Sequence, residues 1–597
     1  MHGYCGKILR IDLNDKKGSK VAVEKKDAEQ FIGGTGFGIK IHYEMRSFEK
    51  DAFSAENPLV IMTGPLTALA PGTSRVAFCA KSPLTGIWGE SNSGGKMANY
   101  LKFAGWDGLI IEGKSEKPVY LVIDSNGAEF IDAAEIWGKG CYEAQEMIEK
   151  ELKEKRASTA VIGPAGENLV KFACIQVDNS RHAGRTGMGA VMGSKLLKGI
   201  AVVYDAGKKF EISIADEKGF KSVQEKFIEA INNDFTCTML RELGTSGYVE
   251  TAEGFGDLPV KYFTEGTFEG ASRISGSAMA SSILKGNDGC LGCIVRCGRV
   301  VEHKGKKIHG PEYETVASFG SLQLNDSLEA IVELNYMLND LGIDTISAGV
   351  TIAFAMWMTE RGIGEFNVRW GDAERVKEII EDIAFRRGIG NELAEGVRFL
   401  ERKYNLEGYG AHVKGLEIPM HDARAFSSLA CAYAVHNRGA CHLPHQMYLY
   451  EMGKTIEEYG VISPDRFANE GKGTMTAKVQ NFSELFNAVT MCAFMPITPT
   501  MLAEMLKFAT GLDFTVESIA TAGERIFTLK RLYNLKCGIK AEDDTLPKIV
   551  LQPVKGGSDG RVPDVKRQVE EYYEFRKWPN GIPSKEKLKE LNLEWAE

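Results

Sequence analysis

The apolar residues of the first ~210 positions come in short runs closed by turn residues. LVIMTG (59–64), GLIIEG (108–113), VYLVID (119–124), TAVIGP (159–164) and GIAVVYD (199–205) are of this kind. Short apolar runs bounded by Gly, Pro or Asp predict strands. EAQEMIEKELKE at 143–154 interrupts them and predicts a helix. From about 212 the period changes. ADEKGFKSVQEKFIEAINND (215–234) and SLEAIVELNYMLNDLG (327–342) carry apolar residues at helical spacing. A Gly/Ser-rich stretch at 265–282 precedes a cysteine cluster, a second helical region follows about 416, and VKRQVEEYYEFRK (565–577) predicts a charged helix docked on one face. The expected fold class is α+β, with a β-rich domain over 1–210 and helical domains over 211–415 and 416–597. No long tandem repeat is visible. PLT recurs at 65–67 and 83–85, as two related loops of one sheet domain or by coincidence.

Composition agrees with a folded chain. Of 597 residues 44% are hydrophobic and 26% charged, the pattern of a globular protein with a large core. Net charge is −9, which excludes a general nucleic-acid binder needing a basic surface. No apolar run approaches the ~20 residues of a membrane span. GVTIAFAMWM (349–358) is too short and reads as a buried helix. No basic and apolar leader is visible in MHGYCGKILRIDL, so a cytoplasmic, reducing location is expected. The twelve cysteines then read as thiols or metal ligands. Glycine, 65 residues or about 11% against a typical ~7%, points to tight turns or close backbone approach to a ligand.

The strongest local signal is DGCLGCIVRCGR, in which Cys290, Cys293 and Cys297 form C-x2-C-x3-C. Three thiolates on a tight loop suit an iron–sulfur cluster, which takes four. Zinc is the rival, and plain buried thiols are a third reading. Candidates for the missing ligand are Cys431, Cys441, Cys492 and Cys537. Cys5, Cys79, Cys141, Cys174 and Cys237 read as buried small hydrophobes. Four Gly-rich loops (31–38, 63–75, 82–95 and 179–195) match no nucleotide motif, since position 39 is Ile and GSK has Ser before Lys. They combine Gly with Arg75, Asn92, Arg181 and Arg185, which suits an anionic ligand rich in hydrogen bonds.

Longer motifs carry a resemblance. GPLT (64–67), KSPLTG (81–86), NSGG (92–95), LKFAGWD (101–107), IGPAGENLVKFA (162–173) and AGRTGMGAVMGSK (183–195) come first. The C-x2-C-x3-C, GPEYE (310–314), LGIDTIS (341–347), NRGACH (437–442), MCAF (491–494) and DDTLPK (543–548) follow in the same order. The chain resembles, nearly end to end, the tungsten- or molybdenum-pterin aldehyde:ferredoxin oxidoreductases.

The resemblance implies an N-terminal sheet saddle over two pyranopterins that hold one W or Mo, closed by two helical domains. It implies Arg75 between this cofactor and a [4Fe–4S] cluster. Asn92 and the His182 carbonyl would touch a Mg2+ bridging the pterin phosphates, with Gly94, Arg181, Ala183, Gly184 and Arg185 in the phosphate-side loops. Cys492 would be the fourth cluster ligand. Two pterin loops read NDLGID (339–344) and NAVTMC (487–492), so that Asn339, Ile343, Asp344, Asn487 and Met491 would touch the cofactor. Asn339 and Asn487 stand where the family has Asp, Thr490 where it has Gly, and Pro444 where it has Lys. Glu314 is implied as the base and His442 as donor to the carbonyl, with His421, His436 and His445 as weaker candidates. The implied reaction turns a small-molecule aldehyde and water into a carboxylic acid, with electrons passing to ferredoxin or a dedicated iron–sulfur subunit. A homo-oligomer is allowed, but the family's ExxH dimer-contact iron site reads Glu333-Leu-Asn-Tyr336 and lacks its His. The alternatives are a reductive subunit like that of the benzoyl-CoA reductases and a non-catalytic iron–sulfur subunit.

Overall fold

The computed structural model describes residues 1–153 and 156–597. The short apolar runs become twelve strands in two six-stranded sheets. The first contains β1 (Lys7–Asp12), β2 (Lys17–Ala22), β3 (Leu59–Met62), β4 (Val76–Lys81), β5 (Trp88–Ser93) and β6 (Gly108–Glu112), in the order β2-β1-β6-β3-β4-β5. The second contains β7 (Val119–Ile123), β8 (Ala128–Asp132), β9 (Ala157–Val161), β10 (Ile175–Val177), β11 (Arg181–Ala183) and β12 (Leu197–Val203), in the order β8-β7-β12-β9-β10-β11. Adding six to each strand number of the first sheet gives the second. The single parallel pair also corresponds, β1 with β6 and β7 with β12.

The N-terminal region is therefore a duplication of topology. PLT does not mark it, because both copies lie in the first half, at opposite ends of β4. What recurs is Gly-Pro after the third strand of each half, Gly64-Pro65 and Gly163-Pro164. One core joins the sheets, with Leu9, Ile61 and Phe78 of the first and Leu121, Ile175 and Ile200 of the second in the same buried cluster. Burying these faces removes apolar surface from water at roughly 25 cal/mol per Å², which is why strands with few polar positions stack here. The outer strand β2 is instead exposed along most of its length and carries Lys17 and Lys20, which discourages edge pairing.

The sequence-predicted helices form with shifted ends. The 143–154 patch is a helix over Cys141–Leu152, and residue 154 lies outside the described residues. The others run Glu217–Asn233, Leu328–Leu341 and Val565–Arg576. Side-chain caps set their starts: Asp216 accepts from Gly219 N at 2.9 Å and Ser327 from Ala330 N at 3.2 Å. The 349–358 run lies inside the helix Thr345–Glu360, buried from Ile346 through Met358. Among the described residues no helix is long and apolar enough to cross a membrane.

After 211 the chain is mainly helical, as expected, with small sheets among the helices. A three-stranded sheet, β13 (Leu284–Asp288), β14 (Gly298–His303) and β15 (Lys306–His309), frames the cysteine loop. Its first strand reads LKGND, whose Gly, Asn and Asp are poor strand formers, so local preference hides it.

Helical and sheet regions are bolted together by buried ions. Lys530, on the helix Val516–Lys536, lies 2.5 Å from both Glu90 of β5 and Glu484 of the helix Lys472–Ala488. Burial favours the neutral amine, but the two carboxylates outweigh it and raise the Lys530 pKa. Lys530→Met should cost about 3–5 kcal/mol, because two carboxylates are left buried without their cation. The denaturant midpoint should fall accordingly; an unchanged midpoint would mean that the triad adds nothing to stability.

Candidate active site

A cavity of about 380 Å³ opens where the two sheets meet the helices. Its floor is made by the outer strands β5 and β11, which occupy equivalent places in the duplicated halves. Ser91 donates from β5 to the Gly184 carbonyl at 2.7 Å, tying the two edges together. Asn92 and His182 lie on these edge strands and both line the cavity.

The duplication extends to two incoming helix ends. The helix Leu328–Leu341 brings in Asn339, and the helix Lys472–Ala488 brings in Asn487. A Cβ at Gly163 would lie 2.4 Å from the Leu341 carbonyl oxygen, and one at Gly64 2.3 Å from that of Val489. Each Gly-Pro turn thus admits the backbone two residues beyond its Asn. One position further on, the chain turns left-handed, with φ +74° at Gly342 and +53° at Thr490. A β-branched residue is strained there. The Thr490 hydroxyl is held 3.0 Å from that of Thr67, which anchors the turn.

Most residues named from the sequence meet in this cavity. Arg75, Asn92, Gly94, Arg181, His182, Gly184, Arg185, Glu314, Asn339, Ile343, Asp344, His442, Asn487, Met491 and Cys492 all line it. Ala183 does not; its methyl is packed in the inter-sheet core. The Asp344 carboxylate is engaged on both oxygens, by Arg185 N at 2.9 Å and Ser347 N at 2.9 Å. Its role is to shape the turn and cap a helix. Of the weaker candidates, His421 lines the cavity and His436 and His445 do not. Arg438, Tyr248, Tyr313 and Tyr448 also line it. The quoted motifs GPEYE and NRGACH contained Tyr313 and Arg438, but no spacing marked the two other tyrosines.

The donors are under-used. Arg185 Nη2 reaches the Glu417 and Ala440 carbonyls at 2.5 and 2.7 Å, while its Nε and Nη1 are buried without partners. Arg438 Nε is a buried, unpaired donor as well, whereas the unpaired Asn92 Oδ1 is an acceptor. A buried donor left unpaired costs about 1–3 kcal/mol. This donor set, on backbone kept bare by Gly94 and Gly184, fits an anionic, pterin-phosphate type of ligand. His182 is held neutral, lowered to about 3 by burial with His309 and Arg181 nearby.

At the opposite wall, Glu314 Oε1 lies 3.2 Å from His442 Nδ1 and 3.6 Å from His421 Nε2. Neither Glu314 Oε1 nor His442 Nδ1 makes an aligned hydrogen bond. Glu314 Oε2 accepts from Met420 N at 2.9 Å. Burial raises the Glu314 pKa against the pull of His421. Burial, then the neighbouring His421 and Arg185, hold His442 well below the ordinary imidazole range. The site thus pairs a carboxyl poised to titrate with an imidazole kept neutral.

Just beyond the cavity lies the cysteine loop. Gly292 has φ +74° and Leu291 N donates to the Gly95 carbonyl at 3.1 Å, holding the loop against the first sheet. A Cβ at Gly94 would lie 2.4 Å from Cys290 Sγ, so only glycine lets the loop approach. Burial pushes the Cys492 thiol up to about 11; Arg75 draws it down, and Cys293 and Cys290 act on it too. The Cys297 thiol is raised by burial and by Glu312, Cys492 and Cys290. Cys492 thus lies near the three cysteines of the loop. Among the described residues no three cysteine sulfurs lie within 4.8 Å of one another. One tetrahedral zinc with bonds of ~2.3 Å would hold them closer.

The other proposed fourth ligands are occupied. Cys431 donates to the Gln568 carbonyl, Cys441 accepts from Arg438 Nη2 at 2.6 Å, and Cys537 donates to the Phe48 carbonyl. Cys237, which the sequence left isolated, lies close enough to feel Cys492 and Cys293, but donates to the Phe494 carbonyl. At the ExxH position, Glu333 is taken up by Lys304 and Lys377 and lowered to about 2. Tyr336 stacks on Tyr142.

Residues 8–204 match the family model described as aldehyde ferredoxin oxidoreductase, N-terminal domain, and 222–593 that described as domains 2 and 3. The tungsten-containing aldehyde ferredoxin oxidoreductase of Pyrococcus abyssi is 38% identical over 100% of both chains. The protein of the same name from Pyrococcus furiosus is 38% identical over 99% of each. An aliphatic sulfonate oxidoreductase, WOR-like subunit, of Pyrococcus furiosus is 29% identical over 99% of this chain and 97% of its own. The active-site complex of a benzoyl coenzyme A reductase shares the fold, with TM-score 0.84 and 23% identity over 100% of this chain and 98% of that one.

Proposed function

The chain belongs to the aldehyde ferredoxin oxidoreductase family of enzymes, and on that premise we propose that its cavity oxidises a small aldehyde to the carboxylic acid at a bis-pterin tungsten or molybdenum centre. The observation that carries this reading is the pair Glu314 and His442, unpaired and 3.2 Å apart, in the same cavity as the unpaired cationic donors. Asn339, Ile343, Gly184 and Arg185 hold one pterin, and Asn487, Met491, Arg75 and Gly94 the other, with Arg181 on the phosphate side. Asn92 and the His182 carbonyl, both on cavity-lining edge strands, would hold a Mg2+ with the cofactor. Cys290, Cys293, Cys297 and Cys492 would hold a [4Fe–4S] cluster, which takes four thiolates. When bound, the metal centre supplies the two-electron acceptor beside the substrate carbon.

The chain's own residues do the rest. Glu314 Oε1 takes a proton from the attacking water. Its raised pKa makes it a stronger base than an ordinary carboxylate, and Met420 N fixes its direction through Oε2. His442, held neutral by its burial, is the hydrogen-bond donor to the aldehyde oxygen and polarises the carbonyl. Tyr248, Tyr313, Tyr448 and Leu443 wall this side and exclude water. Arg75, between cavity and cluster, lies on the route by which electrons leave to ferredoxin or to a partner subunit.

Purified native protein should contain about four iron atoms and about one tungsten or molybdenum per chain. It should reduce a viologen dye with at least one member of an aldehyde panel. Iron without tungsten or molybdenum would instead mark an electron-transfer subunit. Both metals with no aldehyde-dependent reduction would leave the reductive reading.

A further inference from the structure

His421 is clamped behind Glu314. Its Nδ1 lies 2.6 Å from Asp257 Oδ2, and the same oxygen accepts from the partly exposed Tyr248 hydroxyl at 3.1 Å. Tyr448 stacks on the ring at 4.2 Å and 14°, and the Tyr433 hydroxyl donates to the His421 carbonyl at 3.0 Å. A carboxylate holding Nδ1–H fixes the tautomer, so the Nε2 lone pair faces Glu314 Oε1, 3.6 Å away.

Two imidazoles therefore adjoin the oxygen that takes the proton, and their surroundings differ. Facing His421 are Asp257 from the segment after the helix Val249–Phe255 and Glu314 from the helix Tyr313–Phe319, while Asp422, next in the chain, is engaged by Arg424. His442 and Arg185 stand across the cavity. Burial lowers the His421 pKa, but Asp257 and Glu314 outweigh it and the value is raised. His442 has no such support and is lowered. Of the two, His421 is the stronger base.

Resting on the assignment of Glu314 as base, we propose that His421, held by Asp257, is a positioning residue that takes the proton from Glu314 and restores its carboxylate for the next turnover. The water O–H bond breaks as Glu314 Oε1–H forms; that bond breaks in turn as His421 Nε2–H forms. Each electron pair stays on oxygen, and the two redox electrons leave separately by the metal route. The Asp257 carboxylate offsets the imidazolium, and the Nε2 proton passes to water that enters the cavity once the acid has left, so that Nε2 is bare again for the next turnover.

The test compares wild type with Glu314→Gln, His421→Gln and Asp257→Asn holoenzymes, each checked for tungsten and iron. His421→Gln should lower kcat for aldehyde oxidation by about 10–100-fold, within the span of a single proton-transfer group, with KM changed less than about threefold. Its acid limb should move up by about one pH unit, because on acidification wild-type His421 takes a proton first and, as a cation, keeps Glu314 ionised to lower pH. The same shift should appear without turnover, in the infrared carboxyl band of protonated Glu314, identified by its loss in Glu314→Gln. Asp257→Asn should also lower kcat with KM little changed, because His421 loses the carboxylate that holds Nδ1–H and makes it the stronger base. It also serves as the test if His421→Gln fails to fold. Wild-type kcat, pH profile and band titration in both variants would overturn the relay. Full activity in Glu314→Gln would instead overturn the base assignment itself.

Discussion

Glu314→Gln is expected to lower kcat by about 10²–10⁴-fold, the usual contribution of one general base. Glutamine keeps the volume and can still accept from Met420 N, which lies 2.9 Å from Oε2. It cannot take a proton from water. Tungsten and iron contents and KM should therefore stay near wild type while turnover collapses. The sign of the pH dependence follows from burial, which raises the Glu314 pKa. The base works only when ionised, so wild-type activity is present above that raised value and lost as pH falls through it. The limb should lie above the usual carboxylate range of about 4.3. In the variant it should vanish with the group that causes it. A kcat within about threefold of wild type would show that another residue activates the water.

Cys492→Ala is expected to remove the cluster altogether. Cys492 lies near Cys290 and Cys293 on a loop 195 positions beyond Cys297, and its backbone N is fixed to the Gly72 carbonyl at 2.8 Å. The other three thiols sit on one hairpin loop and cannot close a four-ligand site. Iron should fall from about four per chain toward zero, with loss of the broad visible absorbance that cysteine-ligated clusters give. Aldehyde-dependent viologen reduction should fall with it, because the exit for electrons is gone. Cys431→Ala and Cys537→Ala should keep their iron, since those thiols bond to core carbonyls. Full iron in Cys492→Ala would return the fourth ligand to open question.

Much of this was legible before any coordinates. The strand runs, the long helices and the motif residues Glu314, His442 and Cys290 were marked by periodicity, spacing or resemblance, all of which act over short stretches. The duplication was not, because it lives in pairing order. Its only local trace is a Gly-Pro that any turn might contain. Strand β13 was hidden because its residues prefer loops and are held by β14 alone. Asp257 carried no signal either. It lies 164 positions from His421, and what gives it meaning is a shared burial that sequence spacing does not encode. The PLT pair misled for the converse reason, local likeness without an equivalent place in the fold.

The bare glycines at the two Gly-Pro turns set an order of events. Each turn can close only when a helix end from far downstream arrives, Leu341 at Gly163 and Val489 at Gly64. Contacts so distant in sequence form late, after the chain has met their loop-closure entropy. A ribosome that has released the first two hundred residues has released both sheets and neither helix end. Half the cavity then faces water with its arginines uncovered. A cofactor held in this cavity would meet the sheet face before the last helices shut.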